Sequence, residues 1–224
     1  MKWGLGFLLG CFAMTAVWVG VETYDYPFDD RWVATVVGTP VEYRAELPKK
    51  IPLRQGRLTV FEDRELPEWF WYYRDGLQYS YARQRGPAPL VFLIAGTGAS
   101  HAGGKNVMMA RAFYQAGFHV VSLSSPTTSN FVATASESSV PGHAVEDAKD
   151  LYRVMELVWG ELKANTEVTD FYVTGYSLGG FNAAFVTQLD EQRQVFNFRK
   201  ALLINPPVTL YNSISLLDRM TQNI

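Results

Sequence analysis

The chain has 224 residues, enough for one sizeable domain with a buried core, and an apolar content of 48% with 14% aromatics excludes a disordered polypeptide. A formal net charge of −2 gives no reason to expect a nucleic-acid partner. The single cysteine, Cys11, excludes an internal disulfide and a cysteine-based metal site.

The amino terminus reads apart from the rest. After Lys2, Trp3 to Val21 is a run of 19 residues without a charge, long enough to cross the hydrocarbon core as a helix. Lys2 before it and Glu22, Asp25, Asp29 and Asp30 after it place the amino end in the cytoplasm by the positive-inside bias. Two rival readings remain. A cleaved secretory signal ending at Gly20 would put Trp18 where a small residue belongs. A lipoprotein box at Leu8 to Cys11 conflicts with the apolar run that continues beyond it. All three export the body of the protein, so residues 1–21 are read as a membrane anchor or signal, with the membrane a partner through residues 3–21.

Residues 22–56 read as a linker interrupted by Pro27, Pro40 and Pro48, with a short extended piece at Trp32 to Val37. A domain over 57–224 then opens on antiparallel material. One strand is predicted at 57–62 (RLTVFE), and a hairpin is predicted around Arg74-Asp75-Gly76, where Asp-Gly is a strong turn signal. Leu77, Tyr79 and Tyr81 alternate with Gln78, Ser80 and Ala82, as a strand with one buried face does. The aromatic run Trp69 to Tyr73 is assigned to the core or a sheet edge rather than to a ligand platform.

From residue 90 the pattern changes. LVFLIA (90–95) is a short unbroken apolar run, as expected of a strand buried on both faces. A Gly-rich loop, a helix over 106–116 stopped by Gly117, and a strand over 118–125 follow. The polar stretch 124–139 is long enough to form a lid or binding rim, with a mobile surface loop as the bland alternative. A helix over 143–163 carries Val145, Ala148, Tyr152, Met155, Trp159 and Leu162 as one apolar stripe. A strand at 171–174, a helix from 178 to 190 and a strand at 201–204 complete the alternation; the segment around Asp218 reads as a helix or lid. The predicted class is α/β: a mostly parallel sheet with flanking helices, an antiparallel amino-terminal edge and one amino-terminal hydrophobic helix.

Residues 171–180, FYVTGYSLGG, pass from strand to sharp turn to helix, the context that a G-x-S-x-G signal requires. A serine at the apex of such a turn has a strained backbone that lifts its hydroxyl clear of the sheet. Side chains two residues to either side would collide with the adjoining helix and strand, and Gly175 and Gly179 remove them. On these residues the chain resembles the α/β-hydrolase superfamily over roughly 57–205, with Gly175-Tyr176-Ser177-Leu178-Gly179 similar to its nucleophile elbow. The resemblance implies that Ser177 attacks an acyl carbonyl and that the backbone N–H of Leu178 supplies half of an oxyanion hole. The other half falls to the loop Ala95 to His101, where Thr97 is assigned as second donor and Gly98 is the neighbouring alternative. Family members often have His-Gly at the start of this loop, and this chain has Ala95-Gly96.

The family order is Ser, then Asp or Glu, then His, yet His101, His119 and His143 all precede Ser177. Of the carboxylates that follow, Asp190 and Glu191 end a helix away from the catalytic edge, and Asp218 reads as a surface charge. Three explanations stand. The chain is an incomplete hydrolase domain, which is the favoured expectation; or His101 or His143 substitutes as the base; or the fold binds ligands without chemistry. The expected activity is acyl hydrolysis or transfer through Ser177 on an ester, thioester or amide, the substrate being a small-molecule or lipid-like acyl compound. No metal or organic cofactor is implied.

Overall fold

The computed structural model describes residues 28–222 apart from Pro67 and Arg74. The predicted anchor at 3–21 lies outside them, and among the described residues no helix is long and apolar enough to cross a membrane. The chain divides into an amino-terminal unit ending at Ala45 and a main unit from Glu46 onward.

In the amino-terminal unit, α1 spans Arg31–Val37 where the sequence predicts an extended piece. The β-branched residues favour extension, but Asp30 outweighs them at the helix start. Its Oδ1 accepts the Val33 N–H at 2.8 Å, satisfying a donor that the first turn leaves free.

The main unit holds one six-stranded sheet in the order β1-β2-β4-β3-β5-β6. Its strands are β1 (Arg54–Leu58), β2 (Leu77–Ala82), β3 (Ala88–Ile94), β4 (His119–Leu123), β5 (Val168–Tyr176) and β6 (Lys200–Ile204). Only β2 runs against the others, so the antiparallel material forms one edge, as predicted. The helices are α2 (Gly104–Gln115), α3 (Ser129–Thr134), α4 (Ala144–Leu162), α5 (Leu178–Arg193) and α6 (Leu210–Thr221).

Three details differ from expectation. The first strand lies at 54–58 rather than 57–62, because Gly56 sits against the ring of Tyr79, where a Cβ would come within 2.3 Å of it. Among the described residues no hairpin forms around Gly76: residues 68–73 form a kinked 3-10 helix, and Gly76, at φ +90°, leads into β2. The polar stretch 124–139 is partly helical and anchored. Thr128 caps α3, and Asn130 accepts the Gln78 N–H and donates to the Gly76 carbonyl.

Helices cover both faces of the sheet. Leu151, Tyr152, Met155 and Val158 of α4 pack with Ala183 and Val186 of α5 over Phe92, Ile94 and Val173. Met109 and Ala110 of α2 pack on the opposite face, against Val91, Leu93 and Val120. Neighbouring strands β3 and β5 therefore send their following helices to opposite faces. That arrangement opens a crevice beyond their carboxyl ends.

The far end of the sheet is different. Edge strand β6 exposes Leu202 and Leu203, and α6 exposes Tyr211, Ile214 and Leu217.

Candidate active site

Ser177 sits at the β3–β5 crevice. It follows β5 and precedes α5 with φ 53° and ψ −127°, in backbone space that non-glycine residues rarely occupy. A serine before a helix usually caps it, accepting an N–H of the first turn through Oγ. Thr128 and Thr209 do this at α3 and α6. The Ser177 side chain makes no such bond, and the residue is exposed. Its hydroxyl is thus held out of the helix instead of being spent on it.

The glycines make this turn sterically attainable. A Cβ on Gly175 would lie 2.3 Å from the Gly179 carbonyl carbon, and one on Gly180 would lie 2.9 Å from the Gly175 oxygen. The Ser177 N–H donates to the Ile204 carbonyl at 2.9 Å, fastening the turn to the end of β6.

The loop after β3 meets this turn directly. Ile94 is in register with Gly175, and a Cβ on Gly96 would lie 2.8 Å from the Tyr176 ring. Within the loop the Ala99 N–H donates to the Gly96 carbonyl, with Gly98 at φ +66° in the left-handed region. The Gly98 N–H is taken by Thr127 Oγ1 at 2.8 Å. Among the described residues no acceptor takes the Thr97 N–H. At the other wall Leu178 is the first residue of α5, where an N–H has no intrahelical partner and the helix dipole is positive.

An open cavity of about 350 Å³ lies beside the serine. Lys105, Met108 and Met109 of α2 form one wall, Tyr176 and Ser177 the second, and Ile204 with Asn205 the third. The sequence alone did not single out Lys105 or Met108, since their place depends on which helix flanks which strand end.

None of the histidines lines this cavity. His101 is buried, with Nδ1 2.7 Å from Ser80 Oγ on β2. Strands β4 and β3 separate β2 from β5, which at strand spacing is about 14 Å. Burial lowers the pKa of His101 below its ordinary 6.5. His143 caps α4, accepting the Glu146 N–H through Nδ1 at 3.4 Å. His119 accepts the Gln84 N–H through Nδ1 and donates from Nε2 to the Glu167 carbonyl, so it joins two chain segments. The structure thus does not bring His101 or His143 to Ser177. Asp190 is equally committed, accepting from Tyr152 Oη and from the Phe196 and Phe198 N–H groups. Among the described residues no three His, Cys, Asp or Glu side chains gather as a metal site.

No family model and no curated protein matches the sequence. Solved structures do. The chain is similar to a brefeldin A esterase, described as a bacterial homologue of human hormone sensitive lipase, with TM-score 0.50 and 15% identity, covering 77% of this chain and 47% of that one. It is also similar to a fungal esterase from Rhizomucor miehei, with TM-score 0.49 and 16% identity, covering 76% of this chain and 50% of that one. The chain therefore spans about half the length of either structure. At these identities the likeness is one of fold.

Proposed function

We propose that this chain, which has the α/β-hydrolase fold, is built for serine-dependent hydrolysis of an ester, thioester or amide through an acyl-Ser177 intermediate. The observation that carries the reading is the backbone of Ser177: a left-handed serine at a helix start whose hydroxyl does not cap that helix. Strain of this kind costs about 1–3 kcal/mol, and it persists here at an exposed hydroxyl beside a cavity.

In this reading Ser177 Oγ attacks the carbonyl carbon and its proton passes to a base. The N–H groups of Leu178 and Thr97 hold the oxyanion. The alcohol, thiol or amine then leaves with a proton, and water cleaves the acyl-serine to the free acid. Transfer to an acceptor other than water follows the same first half. Export, expected from residues 1–21, would put envelope lipids, peptides or foreign esters within reach.

The chain supplies the nucleophile and the oxyanion donors, and none of its three histidines supplies the base in this arrangement. We assign that role to an imidazole brought to the cavity by a further polypeptide segment. The same observation favours a second reading, a binding module that keeps the fold without the chemistry. Imidazole rescue separates them. Added 4-methylimidazole is expected to raise p-nitrophenyl acetate hydrolysis by the full chain, above the rate it gives the Ser177→Ala variant. Equal rates for the two proteins at every imidazole concentration would favour the binding module.

A further inference from the structure

We infer that the Ser177 cavity selects an ester bearing a carboxylate away from its scissile carbonyl, with Lys105 as the residue that recognises it. This rests on the reading of Ser177 as the reacting centre, but the charge pattern around the cavity is independent of it.

Among the described residues Lys105 is the only charged one lining the cavity. Its Nζ lies 4.9 Å from the centroid of the Tyr176 ring, next in sequence to the serine, so the ammonium is held over the elbow by a cation–π contact. Among the described residues it makes no ion pair. Its position is also unfavourable for the helix that carries it. Lys105 is the second residue of α2, at the positive end of the helix dipole, where an acidic side chain would be stabilising. The first turn of α2 has no acidic residue, and neither has that of α5. Neither helix start is closed by a side-chain cap: Gly103 has no side chain to offer, and Ser177 does not use its own. Two positive helix ends and one ammonium thus border the cavity, with no carboxylate in its lining.

An anionic occupant relieves this arrangement, and a neutral one does not. The remaining walls, Met108, Met109 and Ile204, are apolar and suit a short methylene chain. A hemi-ester of a dicarboxylic acid combines these features: a carbonyl for Ser177, methylenes for the apolar wall and a carboxylate for Lys105.

The test is binding, so that it does not depend on catalysis. Monoethyl adipate and diethyl adipate are titrated into the full-length Ser177→Ala protein and followed by NMR chemical shifts. The hemi-ester is expected to bind roughly threefold to fivefold more tightly than the diester, the scale of one solvent-accessible ion pair. Lys105→Met should abolish the preference, Lys105→Arg should keep it, and added salt should erode it. Equal affinity for the two esters, no binding of the hemi-ester, or a preference that survives Lys105→Met would overturn the inference. A wild-type serine that never reacts, alongside a preserved preference, would overturn only the hydrolase reading.

Discussion

A Cβ placed on Gly179 would lie 2.1 Å from the carbonyl oxygen of Ile94. The first turn of α5 therefore rests on the end of β3 with no room for a side chain, and this contact sets the distance between the serine and the loop of Thr97. Because the opposing atom is backbone, it cannot yield as a flexible side chain would. Gly179→Ala is expected to destabilise the fold by about 1–3 kcal/mol in urea unfolding. Unchanged stability would mean that the turn is looser than its geometry indicates.

Ser177 predicts the reverse. Glycine tolerates φ 53° and ψ −127° without the steric penalty a Cβ incurs. Ser177→Gly should raise the thermal midpoint, with a gain on the order of 1 kcal/mol, while removing all serine reactivity. A variant that loses stability would show that the side chain contributes to folding.

Asp190 holds the chain between α5 and β6. Three donors converge on it: the Tyr152 hydroxyl and the Phe196 and Phe198 amides. Asp190→Ala would leave them without their acceptor, at about 1–3 kcal/mol for each buried group that stays unsatisfied. Denaturant unfolding should show a loss of about 3 kcal/mol or more. A loss under 1 kcal/mol would place that anchoring elsewhere.

Acid should weaken the fold through its buried histidines. Burial lowers His101 and His119 below 6.5, so between the folded value and 6.5 the unfolded chain holds protons that the folded chain does not. Their stabilising contribution is complete above 6.5 and is lost as the pH falls through that window. Asp147 and Asp150 are raised above 3.8 by burial and act with the opposite sign. The histidine contribution is therefore isolated by comparing wild type with His101→Gln across pH 5 to 7. The variant should show the shallower slope, and matching slopes would contradict the assignment.

The exposed apolar surface of α6 should be detectable in solution. Tyr211 is 80% exposed and Leu217 60%, on the helix that follows β6 in the chain. The protein is expected to bind a hydrophobic dye, and Ile214→Lys with Leu217→Lys should reduce that binding while leaving the unfolding free energy within about 0.5 kcal/mol. Strong dye binding by the double variant would locate the apolar surface elsewhere.

The parallel half of the fold was legible because β3 read as an unbroken apolar run before a Gly-rich loop, β5 as apolar strand-formers leading into Gly175, and α4 as a long periodic helix. Its buried face is nonetheless wider than the predicted stripe: Leu151, Val154 and Val158 are buried, whereas Val145 is exposed. The amino-terminal material was less legible because single contacts decided it. Asp30 turned a β-branched run into α1, and the place of β1 depended on Gly56 meeting Tyr79, a long-range contact no local pattern encodes. Within the site, the elbow glycines were readable from spacing. The burial of His101 against Ser80 was not, because it follows from strand order.

If Ser177 is the reactive group, mass-spectrometric mapping of a fluorophosphonate adduct on the full chain, with and without added 4-methylimidazole, will find it there. The expected result is a single modified serine, Ser177, with labelling that is slow alone, faster with the imidazole and absent from Ser177→Ala. A folded protein that remains unmodified under both conditions, or an adduct on another residue, would contradict it.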